Sequence, residues 1–196
     1  EYSIAETVTK IAKNAFKYSK LQSIQIPNSV TEILSYAFAE CTELTQITLP
    51  ENLLTISDYL LFDCTSLKTL KLSSKLEIIG KSSFSMCKSL TSLELPGSIQ
   101  SIGQNAFFSN INLAYLKFNG KQDPTHGSLV FDNCHLLTSV DVNSDYVGQT
   151  FCGIPVNSPT QSLSPSSMPT LTPEPDSGDK KIIKAALISG IVILSV

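Results

Sequence analysis

The chain has 196 residues, 42% of them hydrophobic and 16% charged, and 17 acidic against 14 basic residues leave a formal net charge of -3. Every basic residue is Lys, and Arg and Trp are absent, so the chain lacks the bulk positive charge of a nucleic-acid binder, the bidentate guanidinium suited to phosphate, and indole anchors. Charged residues fall below the roughly 25% of an average globular domain, while Ser and Thr abound, which predicts a hydroxyl-rich surface.

The chain starts at Glu1 without a starting Met or a signal peptide and ends in an apolar run, and it reads as a fragment or a processed chain. Its first element is a short turn in which Ile4, Val8, Ile11 and Phe16 hold apolar places. Lys10, Lys13, Lys17 and Lys20 crowd that turn against only Glu1 and Glu6. The lysines are a candidate site for sulfated glycans or another polyanion, although such a run is more often a solvated outer face.

Four repeats of 23 residues follow without a gap: Ser23 to Thr45, Gln46 to Lys68, Thr69 to Thr91 and Ser92 to Ala114. An L-x-x-L-x-L frame recurs through them as Leu21/Ile24/Ile26, Leu44/Ile47/Leu49, Leu67/Leu70/Leu72 and Leu90/Leu93/Leu95. It continues as Leu113/Leu116/Phe118 and Leu137/Val140/Val142. Alternation at period 2 predicts one short strand per repeat with its apolar side inward, and successive strands must pair in parallel. Pro27, Pro50 and Pro96 stand just past their strands, where a missing donor ends pairing. Apolar pairs such as Val30/Ile33 and Ile99/Ile102 suit a second short strand or a tight helical turn. Beyond them Phe16, Phe38, Leu61, Phe84, Phe107 and Phe131 are expected to stack as a spine. No repeat can bury its apolar face alone, so stability must come from neighbours.

Cys41, Cys64 and Cys87 recur three residues after the spine, with Asn110 and then Cys134 in the same place. Metal ligands or a disulfide ladder would be the functional reading. A small apolar side chain filling an inner corner is the simpler one, and it is favoured because no close C-x-x-C pair exists to hold zinc. Cys152 lies outside the register and could pair with Cys134 in a C-terminal cap.

After Phe118 the repeat degenerates into Asn119 to Leu129, NGKQDPTHGSL, which reads as a protruding loop on a terminal repeat. Ser158 to Ser177 then holds fourteen Ser, Thr or Pro residues in twenty, an extended stalk open to O-glycosylation. The organisation expected is a solenoid over 1–152, a stalk over 153–181, and the start of a truncated transmembrane helix over 182–196. A lipid-anchor signal, or a cytosolic repeat domain on a tail anchor, remain as alternatives for that tail.

The pattern I-P-x-x-V-x-x-I-x-x-x-A-F-x-x-C-x-x-L, carried by Ile26-Pro27, Val30, Ile33, Ala37-Phe38, Cys41 and Leu44, resembles the BspA-like (Treponema pallidum-type) leucine-rich repeats over about residues 1 to 152. The resemblance implies an α/β, β-rich right-handed solenoid of six to seven turns with a parallel concave sheet. It also implies a place on the surface of mucosa-colonising bacteria or protozoan parasites, and adhesion to host cells, matrix proteins or other microbes. It brings no catalytic residues.

On such an array the exposed strand positions form the usual binding face. They are Gln25, Thr48, Lys71, Glu94, Lys117 and Asp141, flanked by Tyr115, the one rigid anchor of the neighbouring row. Their alternating charges would also satisfy one another as a ladder. Tyr115 with Lys117 is the best contact patch. The only histidines are His126 and His135, and no nucleotide, zinc-protease or paired-carboxylate motif appears. His135 is not expected to meet Cys134, since adjacent strand residues face opposite ways. The sequence therefore predicts a non-enzymatic surface protein that needs no cofactor or metal, binds no nucleic acid, meets protein or glycan ligands on host or microbial surfaces, and reaches the membrane through a C-terminal helix. A coat spacer without a ligand and an intracellular scaffold are the competing readings.

Overall fold

Each repeat spends its Leu and Ile residues on two short strands joined by tight turns, and the chain rises by one strand spacing per repeat. The computed structural model describes residues 2–157, 185–188 and 191–194. Two compact units divide the chain, Glu1–Leu163 and Ser164–Val196.

In the first unit the L-x-L steps form β1 (Tyr2–Ser3), β3 (Ser23–Gln25), β5 (Gln46–Thr48) and β7 (Thr69–Lys71), then β9 (Ser92–Leu95), β11 (Tyr115–Phe118) and β13 (Val140–Val142). They form two parallel ladders, β1 to β7 and β9 to β13, each with a one-repeat register: Ile24 faces Ile47, Ile47 faces Leu70, and Leu93 faces Leu116. The ladder is interrupted between β7 and β9, which lie side by side without forming one sheet. A second row uses the intermediate apolar pairs: β2 (Lys10–Ile11), β4 (Glu32–Ile33), β6 (Thr55–Ile56), β8 (Ile78–Ile79), β10 (Ser101–Ile102) and β12 (Thr125–His126). β2 pairs with β4, and β6, β8, β10 and β12 form a four-stranded parallel sheet.

The third side of each turn is the spine. Phe16 stacks on Phe38 at 4.9 Å, Phe84 on Phe107 at 5.3 Å and Phe107 on Phe131 at 5.2 Å, each nearly parallel. Such pairs contribute about 0.5–1.5 kcal/mol beyond burial. Among the described residues no α-helix forms on this wall. The residues two before and two after each spine position have positive φ instead: Tyr36 and Glu40, Tyr59 and Asp63, Ser82 and Met86, Asn105 and Ser109. Each such non-glycine residue costs on the order of 1–2 kcal/mol. Hydrogen bonds between turns offset it. The amides of Tyr36, Phe38 and Glu40 donate to the carbonyls of Asp58, Leu60 and Phe62 in the next turn. The amides of Ser82, Phe84 and Met86 do the same toward Gln104, Ala106 and Phe108. An i to i-4 helix would leave these donors inside the turn, whereas the alternating conformation turns them toward the neighbour.

The C-terminal end closes with β14 (Thr150–Phe151) and β15 (Ile154–Asn157), an antiparallel pair whose second strand runs parallel to β13. Phe151 is fully buried and lies 4.6 Å from Phe118. The folded unit therefore passes the expected boundary at 152, because Val156 and Asn157 complete the last sheet against Val140 and Asp141.

Of the stalk, 158–181 lies outside the described residues. In the second unit β16 (Ala185–Ile188) pairs antiparallel with β17 (Ile191–Leu194). This differs from the expected start of a transmembrane helix. A short, β-branched apolar run satisfies a strand as well as a helix, and periodicity does not separate the two. Among the described residues no helix is long and apolar enough to cross a membrane.

Candidate functional site

Within each sheet the strand face takes the register the sequence predicts, but the expected neighbours Lys71 and Glu94 fall at the break between β7 and β9 and are not paired. Gln25 stands beside Thr48, Thr48 beside Lys71, Glu94 beside Lys117, and Lys117 beside Asp141. The charges are partly used among themselves. Lys117 Nζ is 3.2 Å from Glu94 Oε1, and Asn119 Nδ2 donates to the same oxygen at 2.7 Å. These two donors, Asn119 first, hold the Glu94 carboxyl below its ordinary range. Asn157 Nδ2 donates to Asp141 Oδ1 at 3.1 Å, so the closing strand β15 also serves the face. Lys71 has no ion-pair partner among the described residues. Tyr115 is 46% exposed, an amphipathic ring standing clear of the sheet beside Lys117. Partial desolvation, then the Asp141 carboxylate, raises its hydroxyl above the ordinary value. The face therefore offers one aromatic anchor flanked by Lys117 and Asp141, with Lys71 free two strands away.

The N-terminal lysines are less available than a count along the chain suggests. Lys10 pairs with Glu32 at 2.9 Å and Lys17 with Glu40 at 3.4 Å, because the solenoid sets the next turn's acids beside them. Lys17 also lies 4.6 Å from the Tyr18 ring centre and 5.3 Å from that of Tyr36, and Lys13 lies 5.8 Å from Tyr36. Of the four lysines, Lys20 alone has neither an ion pair nor an aromatic ring among the described residues. The sequence reading missed the aromatic edge behind this patch. Tyr36 and Tyr59 stack at 4.6 Å, and Phe62 meets Tyr59 edge-on at 5.8 Å. Their one-repeat spacing was the available signal.

The repeated cysteines are buried free thiols. Each donates to the spine carbonyl one turn back: Cys41 to Phe16 and Cys64 to Phe38 at 3.1 Å, Cys87 to Leu61 at 3.3 Å, and Cys134 to Phe107 at 3.1 Å. Asn110 takes the same role through Nδ2, 3.1 Å from Phe84 O. The corner therefore selects a small donor as well as a small volume. Burial pushes the Cys87 thiol up to about 12 and that of Cys134 to about 11. The Cys134 to Cys152 bridge is corrected: both are free, Cys134 Sγ faces the core carbonyl, and Cys152 Sγ lies 3.8 Å from Asp123 Oδ1. Cys134 and His135 sit on a turn and not a strand, with the thiol buried and the imidazole exposed, so they are held apart all the same.

The degenerate loop does not protrude freely. Gln122 bridges to Val147, Lys121 pairs with Asp145 at 2.8 Å, and Asn143 donates to Asn119 O at 2.9 Å. β12 keeps the repeat register, so His126 stands opposite Ile102, where other turns bury Ile. Gly127 permits the close return, since a Cβ there would clash with the Gln104 backbone N. Beside it opens a groove of about 330 Å³, lined by His126, Leu129, Phe131, Cys152 and Ile154 among others. Burial and then the Asp123 carboxylate raise the Cys152 thiol well above its ordinary value, which is the wrong field for a nucleophile.

The BspA type leucine rich repeat region matches residues 9–138 in six copies. A leucine-rich repeat protein of T. pallidum is similar in structure, with 29% sequence identity and a TM-score of 0.61 over 76% of this chain and 72% of that one. A leucine-rich repeat protein of Bacteroides ovatus shares the fold at 20% identity and a TM-score of 0.59, covering 73% of this chain. This chain spans 43% of the length of the B. ovatus protein. Comparison with curated proteins finds no match.

Proposed function

We propose that this chain, which belongs to the BspA-type leucine-rich repeat family, is a cell-surface adhesive module that binds protein or glycan ligands on host cells, matrix or other microbes through its exposed strand face. Family membership supports protein binding in general. The observation that carries the specific reading is the in-register polar row ending at Tyr115, Lys117 and Asp141, where an exposed aromatic ring stands beside charges that only partly neutralise each other. Aromatic rings flanked by charge concentrate binding energy at interfaces. Weak contacts suffice when many copies engage a surface together.

The Ser/Thr/Pro-rich stretch within 153–181 supports display away from a membrane, since such a composition extends and resists collapse. The test is limited proteolysis of intact cells expressing the full-length parent, followed by probing for the repeat unit. Release of that unit supports surface display. Protection while control surface proteins are removed would overturn it in favour of an intracellular scaffold.

A further inference from the structure

The inserted loop and the C-terminal cap bring together three side chains of metal-binding type that the repeat does not use. Asp123, His126 and Cys152 present one carboxylate oxygen, one imidazole nitrogen and one sulfur, all within 4.8 Å of one another. We propose that these residues form a binding site for a zinc-class divalent metal, clipping the loop to the cap and leaving a coordination position open toward the adjoining groove.

The distances fit. His126 Nε2 lies 3.8 Å from Asp123 Oδ2, and Cys152 Sγ lies 3.8 Å from Asp123 Oδ1. Tetrahedral zinc, with bonds of about 2.0–2.3 Å, sets its ligand atoms roughly 3.3–3.8 Å apart. The two 3.8 Å contacts reach different oxygens of Asp123, so coordination through one of them requires the three ligand atoms, which lie within 4.8 Å of one another, to close by up to about 1–1.5 Å through side-chain rotation. The His126 ring is placed so that one nitrogen can donate to the backbone while the other is kept for the metal. Its Nδ1 lies 3.1 Å from Gly127 O. A carbonyl only accepts, so a hydrogen bond there uses an Nδ1 proton, and the neutral ring that makes it offers its Nε2 lone pair on the side of the other two groups. That backbone carbonyl is the usual support for a metal-bound histidine.

Asp123 is also fixed, since its carboxylate accepts the Cys152 amide at 3.0 and 3.2 Å. One acid therefore holds the backbone of the cap and faces its sulfur. Nitrogen, sulfur and one carboxylate oxygen suit zinc and exclude calcium or magnesium, which take oxygen alone. The side chains of His126 and Asp123 are 36% and 32% exposed, so a metal reaches them from solvent. His126 and Cys152 also line the groove, so with three protein ligands the fourth position faces it, open to water or to a donor atom of a ligand. On binding, Cys152 releases its proton to solvent and bonds as thiolate.

The experiment is titration of the reduced, metal-free full-length chain with Co²⁺, followed by Zn²⁺ displacement. The proposal predicts one equivalent bound, a sulfur-to-cobalt charge-transfer band in the near ultraviolet, and its bleaching by Zn²⁺. Cys152→Ser should abolish the band, and His126→Ala and Asp123→Asn should each weaken binding at least tenfold. Cys87→Ser should leave it intact. In parallel, Zn²⁺ should raise the melting temperature of the parent by several degrees and leave that of Cys152→Ser unmoved. The far-ultraviolet circular dichroism of each metal-free variant reports its folding. Absence of a saturable one-equivalent band, or its persistence in a folded Cys152→Ser variant, would overturn the site.

Discussion

Asn110 is the one interruption of the cysteine corner, and replacing it by Cys should stabilise the solenoid. Its Nδ2 donates to Phe84 O at 3.1 Å, while its Oδ1 is buried with no partner among the described residues. A buried acceptor left unpaired costs about 1–3 kcal/mol. Asn110→Cys removes that oxygen and keeps a donor aimed at the same carbonyl, as Cys87 and Cys134 do on either side. The thiol is the weaker donor, losing about 0.5 kcal/mol of a bond worth roughly 1 kcal/mol. The net expectation is a gain of about 1 kcal/mol, or about 2–4 °C in melting temperature for a unit of this size. Asn110→Ala removes the orphan oxygen too, but strands Phe84 O and leaves a cavity, so it should lose about 1 kcal/mol. Urea unfolding under reducing conditions, read by circular dichroism, measures both. Destabilisation by Asn110→Cys, or equal effects of the two variants, would refute the donor role of this corner.

The Cys87 and Cys134 thiols, which burial pushes up, set an alkaline limit. Cys87 rises from 9.0 to about 12 on folding, so the unfolded chain loses this proton first and stability should fall as pH climbs from about 9 to 12, by about 1.4 kcal/mol per unit per thiol. Cys87→Ala should flatten that slope, and an unchanged slope in urea titrations would contradict the assignment. Leu129 is 54% exposed with φ 58°. Leu129→Gly should therefore gain up to about 1 kcal/mol while Leu129→Val loses about 1–2 kcal/mol, and equal melting temperatures would remove the strain argument. Lys117→Ala breaks an exposed pair with Glu94 and should change unfolding free energy by less than about 0.5 kcal/mol. A larger loss would make this residue structural and spoil its use as a binding probe.

The solenoid was legible because period and packing coincide: Ile24, Ile47 and Leu70 recur every 23 residues and face one another across strands. The Phe spine and the cysteine corner follow from the same register. Three features were not legible, each for a physical reason. Positive φ at Tyr36, Ser82 and Met86 arises from pairing between turns, which local propensity does not encode. The quenching of Lys10 and Lys17 comes from Glu32 and Glu40, distant along the chain and adjacent in space. The group of Asp123, His126 and Cys152 lies in the part that departs from the repeat, where a one-turn register gives no guide. His126 and Cys152 were visible as residues off the pattern. Their meeting required the cap to fold back along β13.

The strand face around Tyr115 is the proposed binding surface. Its most direct test is attachment of cells displaying the full-length parent with Tyr115→Ala and Lys117→Ala together, scored on host cells and matrix proteins, with circular dichroism on the purified chain as the control for folding. At least a tenfold loss of attachment with an unchanged fold is expected. Undiminished attachment by the folded double variant, together with loss on shortening the array, would contradict it and make the solenoid a spacer.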